Sequence, residues 1–445
     1  MMKLPAGAAF VLNRLNQKGY QAYVVGGCVR DALLGRAPKD WDVCTSALPE
    51  EMQRIFADCH VIETGLKHGT LTVMYEHEPY EATTFRVDGA YTDHRHPDEV
   101  IFVADVKEDL ARRDFTINAM AWNPDTGLVD AFGGREDLAK GIIRCVGDPE
   151  KRFGEDALRI MRALRFASVY GFDIEPETAA AIHRLKETLG GVAAERIRVE
   201  LAKLLCGQGA GLILREYKDV MFTIIPQLKP MDGFDQHTPY HAFDVWEHTV
   251  QSVEHAPSNE VLRLTMLLHD VAKPHVFTLD EDGIGHAWGH QPLGAKIARQ
   301  VLLGLKTDNA TMERVTLLVE HHDDEFLPER RAMMRLLGAF GEEVARQLMD
   351  VNHADESAKG RKPQREIDEA TKRLRTALED VIASKPCVTL KDMAVNGRDL
   401  MASGFPAGKQ LGETLNWLLD QLLDETLPND RETLLRAASE HRKHI

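Results

Sequence analysis

The chain has 445 residues, and at roughly 100–200 residues per domain that length predicts two to four domains. Hydrophobic residues at 44% and charged residues at 28% give a soluble, globular composition and exclude a disordered chain. The formal charge of −16, from 54 basic and 70 acidic side chains, argues on its face against a nucleic-acid partner, which usually meets a basic footprint.

Six cysteines are scattered without a CxxC pair or zinc-finger spacing, which suits a reducing cytoplasm better than a disulfide framework. No apolar run approaches the ~20 residues that span a bilayer. The opening MMKLPAGAAFVL runs directly into Asn13, Arg14 and Leu15 as an amphipathic helix, so a signal peptide is not expected and the cytoplasm is the expected location. No repeat or low-complexity tract is evident, and no protein partner is indicated.

Along the chain, AYVVGG and DWDVCT read as short strands, with CVRDALLG a helix starting after the glycines. KHGTLTVMY and YEATTF read as a later strand pair. From about residue 151 the pattern turns almost wholly helical, and histidines become dense after Gln236. Four parts are expected: a mixed head over 1–150, a helical neck over 151–210, a helical body over 211–384 with the His-rich block at about 237–357, and a helical tail over 385–445. The fold class is α+β. Only the neck is net positive, with 10 basic residues against 8 acidic ones.

In VVGGCVRDALLGRAPKDWDVCT, Gly26 and Gly27 end a strand and begin a helix. Glycine permits close backbone approach to a phosphate, and a helix start offers free N–H donors. Arg30 reaches the same phosphates. Asp40 and Asp42 flank Trp41 on the next strand, where side chains two apart share a face. Two carboxylates on one side are what Mg²⁺ needs beside a triphosphate. Downstream, in DLARRDFTINAMAW, Arg113 can clamp phosphates or ribose by its planar fork. Arg112 and Asp114 stay open between that role and a structural ion pair. In EDALRIMRALRF, Asp156 and Arg159 are three apart on one predicted helix face, extended by Arg162 and Arg165. A carboxylate accepts from an exocyclic amine and an arginine donates to ring acceptors, so this pair can select CTP and ATP over UTP and GTP. The competing interpretation is an ordinary surface salt bridge.

These ordered segments resemble the class II tRNA nucleotidyltransferase and bacterial poly(A) polymerase family, over about residues 20–205. The resemblance implies a polymerase beta-like head. It assigns catalytic metal binding to Asp40 and Asp42, triphosphate and ribose contacts to Gly27, Arg30 and Arg113, and base templating to Asp156 and Arg159 with Arg162 and Arg165 assisting. Glu155 matches the family's acidic pair, and Glu81 in YEATTF is a candidate third metal carboxylate. The stretch TTFRVDGAYTDHRHPDEV resembles the family's flexible loop at full length, which favours addition of the terminal A as well as both Cs.

A second block holds His241, His248, His269-Asp270, His286, His290, His321 and His322. Aspartate beside histidine on an apolar helix needs a partner or a metal. The order resembles the HD-domain metal-dependent phosphohydrolases. By position that resemblance implies His248, His269, Asp270 and Asp355 as ligands of a transition metal, with Asp350, Asp323 and Asp324 competing for the last place. His290 and His321 would support a second metal. The competing interpretation is a helical scaffold that has lost its chemistry. The segment LKDMAVNGRDLMASGFPAGKQLGETLNWLLDQLL resembles the C-terminal module of bacterial CCA-adding enzymes, which implies contacts to tRNA.

Together these features imply a CCA-adding activity on tRNA with CTP, ATP and Mg²⁺. The alternatives are a poly(A) polymerase, an enzyme adding only CC or only A, or an HD phosphohydrolase with a regulatory nucleotide-binding head. The charge distribution leaves tRNA binding to a narrow basic path along the neck, with moderate salt dependence.

Overall fold

An apolar run, Ala22–Val25, forms β1, buried at every position, in the interior of a seven-stranded mixed sheet. The computed structural model describes residues 2–88 and 100–442. The remaining head strands are β2 (Val43–Thr45), β3 (Val61–Ile62), β4 (Thr70–Tyr75), β5 (Glu78–Thr84), β6 (Arg86–Asp88), β7 (Val100–Phe102), β8 (Met120–Asn123) and β9 (Gly127–Asp130). The sheet order is β3-β4-β5-β2-β1-β8-β9, with β6 and β7 forming a separate antiparallel pair. Only the β2–β5 pairing is parallel among the sheet's ladders. Most of the loop-like stretch 83–100 noted above, residues 89–99, lies outside the described residues.

Helices of the head are α1 (Ala6–Gln17), α2 (Gly27–Leu33), α3 (Pro49–Ile55), α4 (Val106–Ala111) and α5 (Gly134–Lys140). Tyr23, Phe85, Leu110 and Ala121 close the core between the sheet and α4. The chain then turns helical, with α6 (Pro149–Glu155), α7 (Leu158–Tyr170), α8 (Pro176–Leu185), α9 (Ala194–Leu205), α10 (Ala210–Glu216) and α11 (Lys218–Ile224). Asp148 caps α6 by accepting from the Glu150 N–H, with Pro149 in the first turn. Helix α7 buries Met161, Leu164 and Ala167 at helical spacing and packs on α9.

Two compact units result, Met1–Lys229 with Gly304–Thr307, and Pro230–Leu303 with Asp308–Ile445. The second is built from α12 (Val245–His255), α13 (Glu260–Leu268), α14 (Lys273–Val276), α15 (His290–Gly304), α16 (Asn309–Glu320), α17 (Arg330–Ala358) and α18 (Gln364–Ala383). Helix α12 packs on α13 and α17. Asp244, Asn259 and Asp308 cap α12, α13 and α16 with side-chain oxygens. The last helices, α19 (Gly397–Ala402), α20 (Lys409–Leu423) and α21 (Arg431–His441), close over a small core of Val395, Leu400, Phe405, Leu418 and Leu434. Among the described residues no helix is long and apolar enough to cross a membrane.

Candidate active site and a second metal-binding cluster

Strand register builds the carboxylate cleft of the head. Val43 pairs with Val24 of β1 and with Ala82 of β5. Asp42, one residue earlier, therefore stands level with Glu81. The expected placement of Asp40 and Asp42 on the strand needs correction. β2 begins at Val43, so both aspartates stand in the segment that feeds it, and only the Asp42 carbonyl joins the ladder, accepting from the Val25 N–H at 3.0 Å. Asp40, Asp42 and Glu81 all reach solvent. Asp42 is nevertheless surrounded closely enough that burial raises its carboxyl above the ordinary range. Arg113 opposes that shift, while Glu81 and Asp40 add like charge to it. Repelling hard oxygen donors of this kind suit a small divalent cation, so the residues present fit one.

Gly26 explains how Arg113 reaches the cleft. Its φ is 79°, and a Cβ there would stand 2.7 Å from Arg113 Nη1. Only glycine both adopts this backbone cheaply and leaves room for the guanidinium. Arg113 also reaches Asp109 Oδ2 at 3.4 Å, and its buried Nε has no hydrogen-bond partner among the described residues. Arg112 donates to Asp109 Oδ1 at 2.9 and 3.0 Å.

Asp114, left open above, is an internal anion. Arg162 donates to its Oδ2 at 2.8 and 2.6 Å, and Asn118 Nδ2 and the Phe115 N–H donate to its Oδ1. Asn118 Oδ1 accepts from Arg30 at 2.5 Å. Arg30 also pairs with Asp31 and lies 5.0 Å from the ring centroids of both Phe166 and Tyr170. Its Nη2 is 3.6 Å from where a Gly27 Cβ would stand, so the guanidinium borders the glycine loop.

The neck departs from the expected continuous helix. Asp156 has extended backbone, φ −144° and ψ 105°, and separates α6 from α7. Its side chain accepts from the Leu158 N–H at 3.0 Å, the local hydrogen bond by which aspartate competes with a helix. Asp156 therefore pairs with Arg196 of α9 at 2.7 Å, not with Arg159. Arg159 instead bonds Glu155 at 2.7 Å and the carbonyls of Arg152 and Arg112. Arg165 pairs with Glu200 of α9 at 2.6 Å. Asn118, Arg196 and Glu200 do not stand out in the sequence, because Arg30, Asp156 and Arg165, the arginines and aspartate they meet, lie far away along the chain and no local spacing marks them.

In the second unit, α12 supplies His248, the turn directly after α13 supplies His269 and Asp270, and α17 supplies Asp355. All four side chains are 0–5% exposed. His248, His269 and Asp270 offer ligand atoms within 4.8 Å of one another, and so do Asp270, His290 and His322. His248 Nε2 lies 3.0 Å from Asp355 Oδ1. Of the competing aspartates, Asp350 pairs with Arg375 and Asp324 with His321, while Asp323 meets Gln291.

His321 is corrected to His322. Helix α16 ends at Glu320, and His321 turns out to its Asp324 partner, whereas His322 turns in and is 2% exposed. His269, His290 and His322 each direct Nδ1 to the backbone carbonyl three residues back, at 2.7–2.8 Å. That partner assigns a proton to Nδ1 and makes Nε2 the nitrogen left to meet a metal. The Nε2 atoms meet in pairs, His248 with His269 and His290 with His322, each at 3.2 Å.

Burial lowers His290 to about 4 and His241 to about 3. Burial would also lower His269, but Asp270 and Asp355 raise it to about 9, so a metal there must displace a proton. Neither Asp270 oxygen accepts a well-angled hydrogen bond among the described residues, although Lys273 Nζ lies 2.6 Å from Oδ2.

Residues 22–144 match the family described as "Poly A polymerase head domain", and 171–229 match "Probable RNA and SrmB- binding site of polymerase A". Residues 291–438 match "tRNA nucleotidyltransferase domain 2 putative". Fold and cleft thus define a nucleotidyltransferase, a class that works with a divalent metal. The CCA-adding enzyme of Levilactobacillus brevis is 37% identical over 97% of this chain and 96% of its own length. The Bacillus stearothermophilus CCA-adding enzyme, solved in complex with CTP, superposes with a TM-score of 0.73 at 31% identity over 100% of this chain and 99% of its own. The Thermotoga maritima CCA-adding enzyme, complexed with tRNA, shares the fold at 21% identity, with a TM-score of 0.59 over 98% of this chain and 94% of its own. The chain belongs to the CCA-adding enzyme family.

The glycine loop yields a direct expectation. Gly26→Ala displaces Arg113 and should raise the KM for CTP and ATP about tenfold or more, the worth of one charge-assisted hydrogen bond. Steady-state kinetics would check this, and an unchanged KM would show that Arg113 does not bear on the nucleotide.

Proposed function

We propose that the chain adds C, C and A to the tRNA 3′ end from CTP and ATP at the cleft of Asp40, Asp42 and Glu81. Carboxylates facing Arg113 across a glycine loop support this assignment, in a chain alike from end to end to CCA-adding enzymes. Addition bonds the tRNA 3′-oxygen to the α-phosphorus of the nucleotide, breaks the bond to the β-phosphate and releases pyrophosphate. Asp40, Asp42 and Glu81 would hold Mg²⁺, which when bound lowers the cost of the charge developing on the reacting oxygens. Gly27, Arg30 and Arg113 take the triphosphate, so that positioning and fixed charge supply most of the catalysis.

Asp156 and Arg159 read the base edge. Arg196 orients the Asp156 carboxylate, and Glu155 with two carbonyls orients Arg159. Arg162 and Arg165, each paired to a carboxylate, assist by fixing α7. The parts act as a catalytic head over 1–150, a templating neck over 151–210, a body over 211–384 and a tRNA-binding tail over 385–445, in a cytoplasmic protein with free cysteines.

Incubation with tRNA lacking CCA, giving CTP and ATP separately and together, tests the assignment. Two additions with CTP alone and a third with ATP are expected. Incorporation of ATP only would mark a poly(A) or A-only enzyme. In the same assay Asp156→Ala should admit UTP and GTP while triphosphate affinity changes little. Undiminished base discrimination would contradict the templating role.

The His/Asp cluster favours a second site. The Nε2 lone pairs of His290 and His322, held 3.2 Å apart, repel unless a cation lies between them, and imidazole with carboxylate suits a transition metal. His248, His269, Asp270 and Asp355 would hold one ion, and Asp270, His290 and His322 a second. A metal in this setting would serve hydrolysis of a phosphate ester. His269→Ala should lose one equivalent of transition metal by elemental analysis, and unchanged content would contradict this site.

A further inference from the structure

We infer that Lys273 and Lys359 are internal counter-cations of the His/Asp cluster, and that a metal enters the position of His248, His269, Asp270 and Asp355 by displacing them. The inference rests on the metal-site proposal above. Lys273 Nζ lies 2.6 Å from Asp270 Oδ2, the oxygen that His248 and His269 face at 3.4 and 3.3 Å. It also donates to Gln236 Oε1 at 3.1 Å. Lys359 Nζ lies 2.9 Å from Asp355 Oδ2 and 2.5 Å from Glu356 Oε1.

The lysine side chains are only 12% and 19% exposed. Lys273 follows Asp270 by three residues across the turn from α13 to α14, with its N–H on the Asp270 carbonyl at 3.0 Å, and Lys359 follows Asp355 by four at the end of α17, so local backbone geometry holds both pairs together. Two buried carboxylates this close together would be costly without matching charge. The two ammoniums match them one for one. An ammonium at hydrogen-bond distance from a carboxylate oxygen takes the edge that a metal would approach and repels the incoming ion.

The two candidate metal positions are therefore unequal. Asp270 Oδ1 faces His290 and His322, each at 3.6 Å, whereas the closest approach of Lys273 is to the other oxygen, Oδ2. Asp270 Oδ2 and Asp355 Oδ2 each carry an ammonium. The same lysines keep the cluster folded without metal and set how tightly metal binds.

The test uses the full chain, stripped by chelator, and its K273M, K359M and K273R variants. Mn²⁺ binding is measured by calorimetry and thermal melting is followed, with His269→Ala as the blank for ions held elsewhere. K273M should bind Mn²⁺ at least tenfold more tightly than the parent. Its metal-free form should melt lower and recover on adding Mn²⁺, while K273R behaves as the parent. If K273M does not fold, K359M carries the same comparison. Equal or weaker Mn²⁺ binding by the lysine-to-methionine variants overturns the counter-cation role and leaves the metal site standing. No Mn²⁺ bound above the blank in any form overturns both.

Discussion

A carboxylate stays charged inside a protein only with partners arranged around it, and Asp114, 7% exposed, imposes that condition on the whole first unit. Burial favours its neutral form, but Arg162 foremost, with Asn118 and Arg159, holds the carboxyl well below the usual range. The partners come from two different pieces of the site. Arg162 is on the neck helix α7, and Asn118 precedes β8 and passes the connection to Arg30 on the glycine-loop helix. A shift of α7 relative to the sheet would expose a buried charge to an empty partner position, a loss of roughly 3–5 kcal/mol. The base-reading edge and the triphosphate loop are thereby tied to one point.

The same bookkeeping of charge alters what the positive neck means. Its net charge suggests a basic path for RNA, yet Arg159, Arg162, Arg165 and Arg196 are all committed to carboxylates. They act as fixed donors whose direction is set by their acids. Specific contacts of this kind need geometry more than net charge, which is why a chain at −16 can act on a polyanion.

Much of the head was legible because its chemistry is local. Gly26-Gly27, Arg30 and the Asp40/Asp42 pair fall within one strand–helix–strand passage, where glycine freedom and carboxylate spacing show in the sequence. Glu81 was less legible, since its place beside Asp42 depends on a parallel register across β2 and β5. The shared helix face expected for Asp156 and Arg159 does not form, for a physical reason: the i, i+3 spacing presumes a helix through Asp156, and the aspartate's own side chain accepts from the Leu158 N–H at the start of the next helix instead. The partner that Asp156 takes, Arg196, comes from α9, and no local pattern announces it.

The second cluster shows the same division. His248, His269 and Asp270 stand out in sequence as polar groups on apolar helices, and Asp355 is the aspartate that tertiary packing brings to them. The choice between His321 and His322 turns on where α16 ends, a matter of one residue that periodicity does not resolve. A double-mutant cycle on Asp114→Asn and Arg162→Met, followed by urea denaturation, tests the central role of the buried anion most directly. Each single change should cost about 3–5 kcal/mol, and the double variant no more than the larger single loss. Losses that simply add would contradict it.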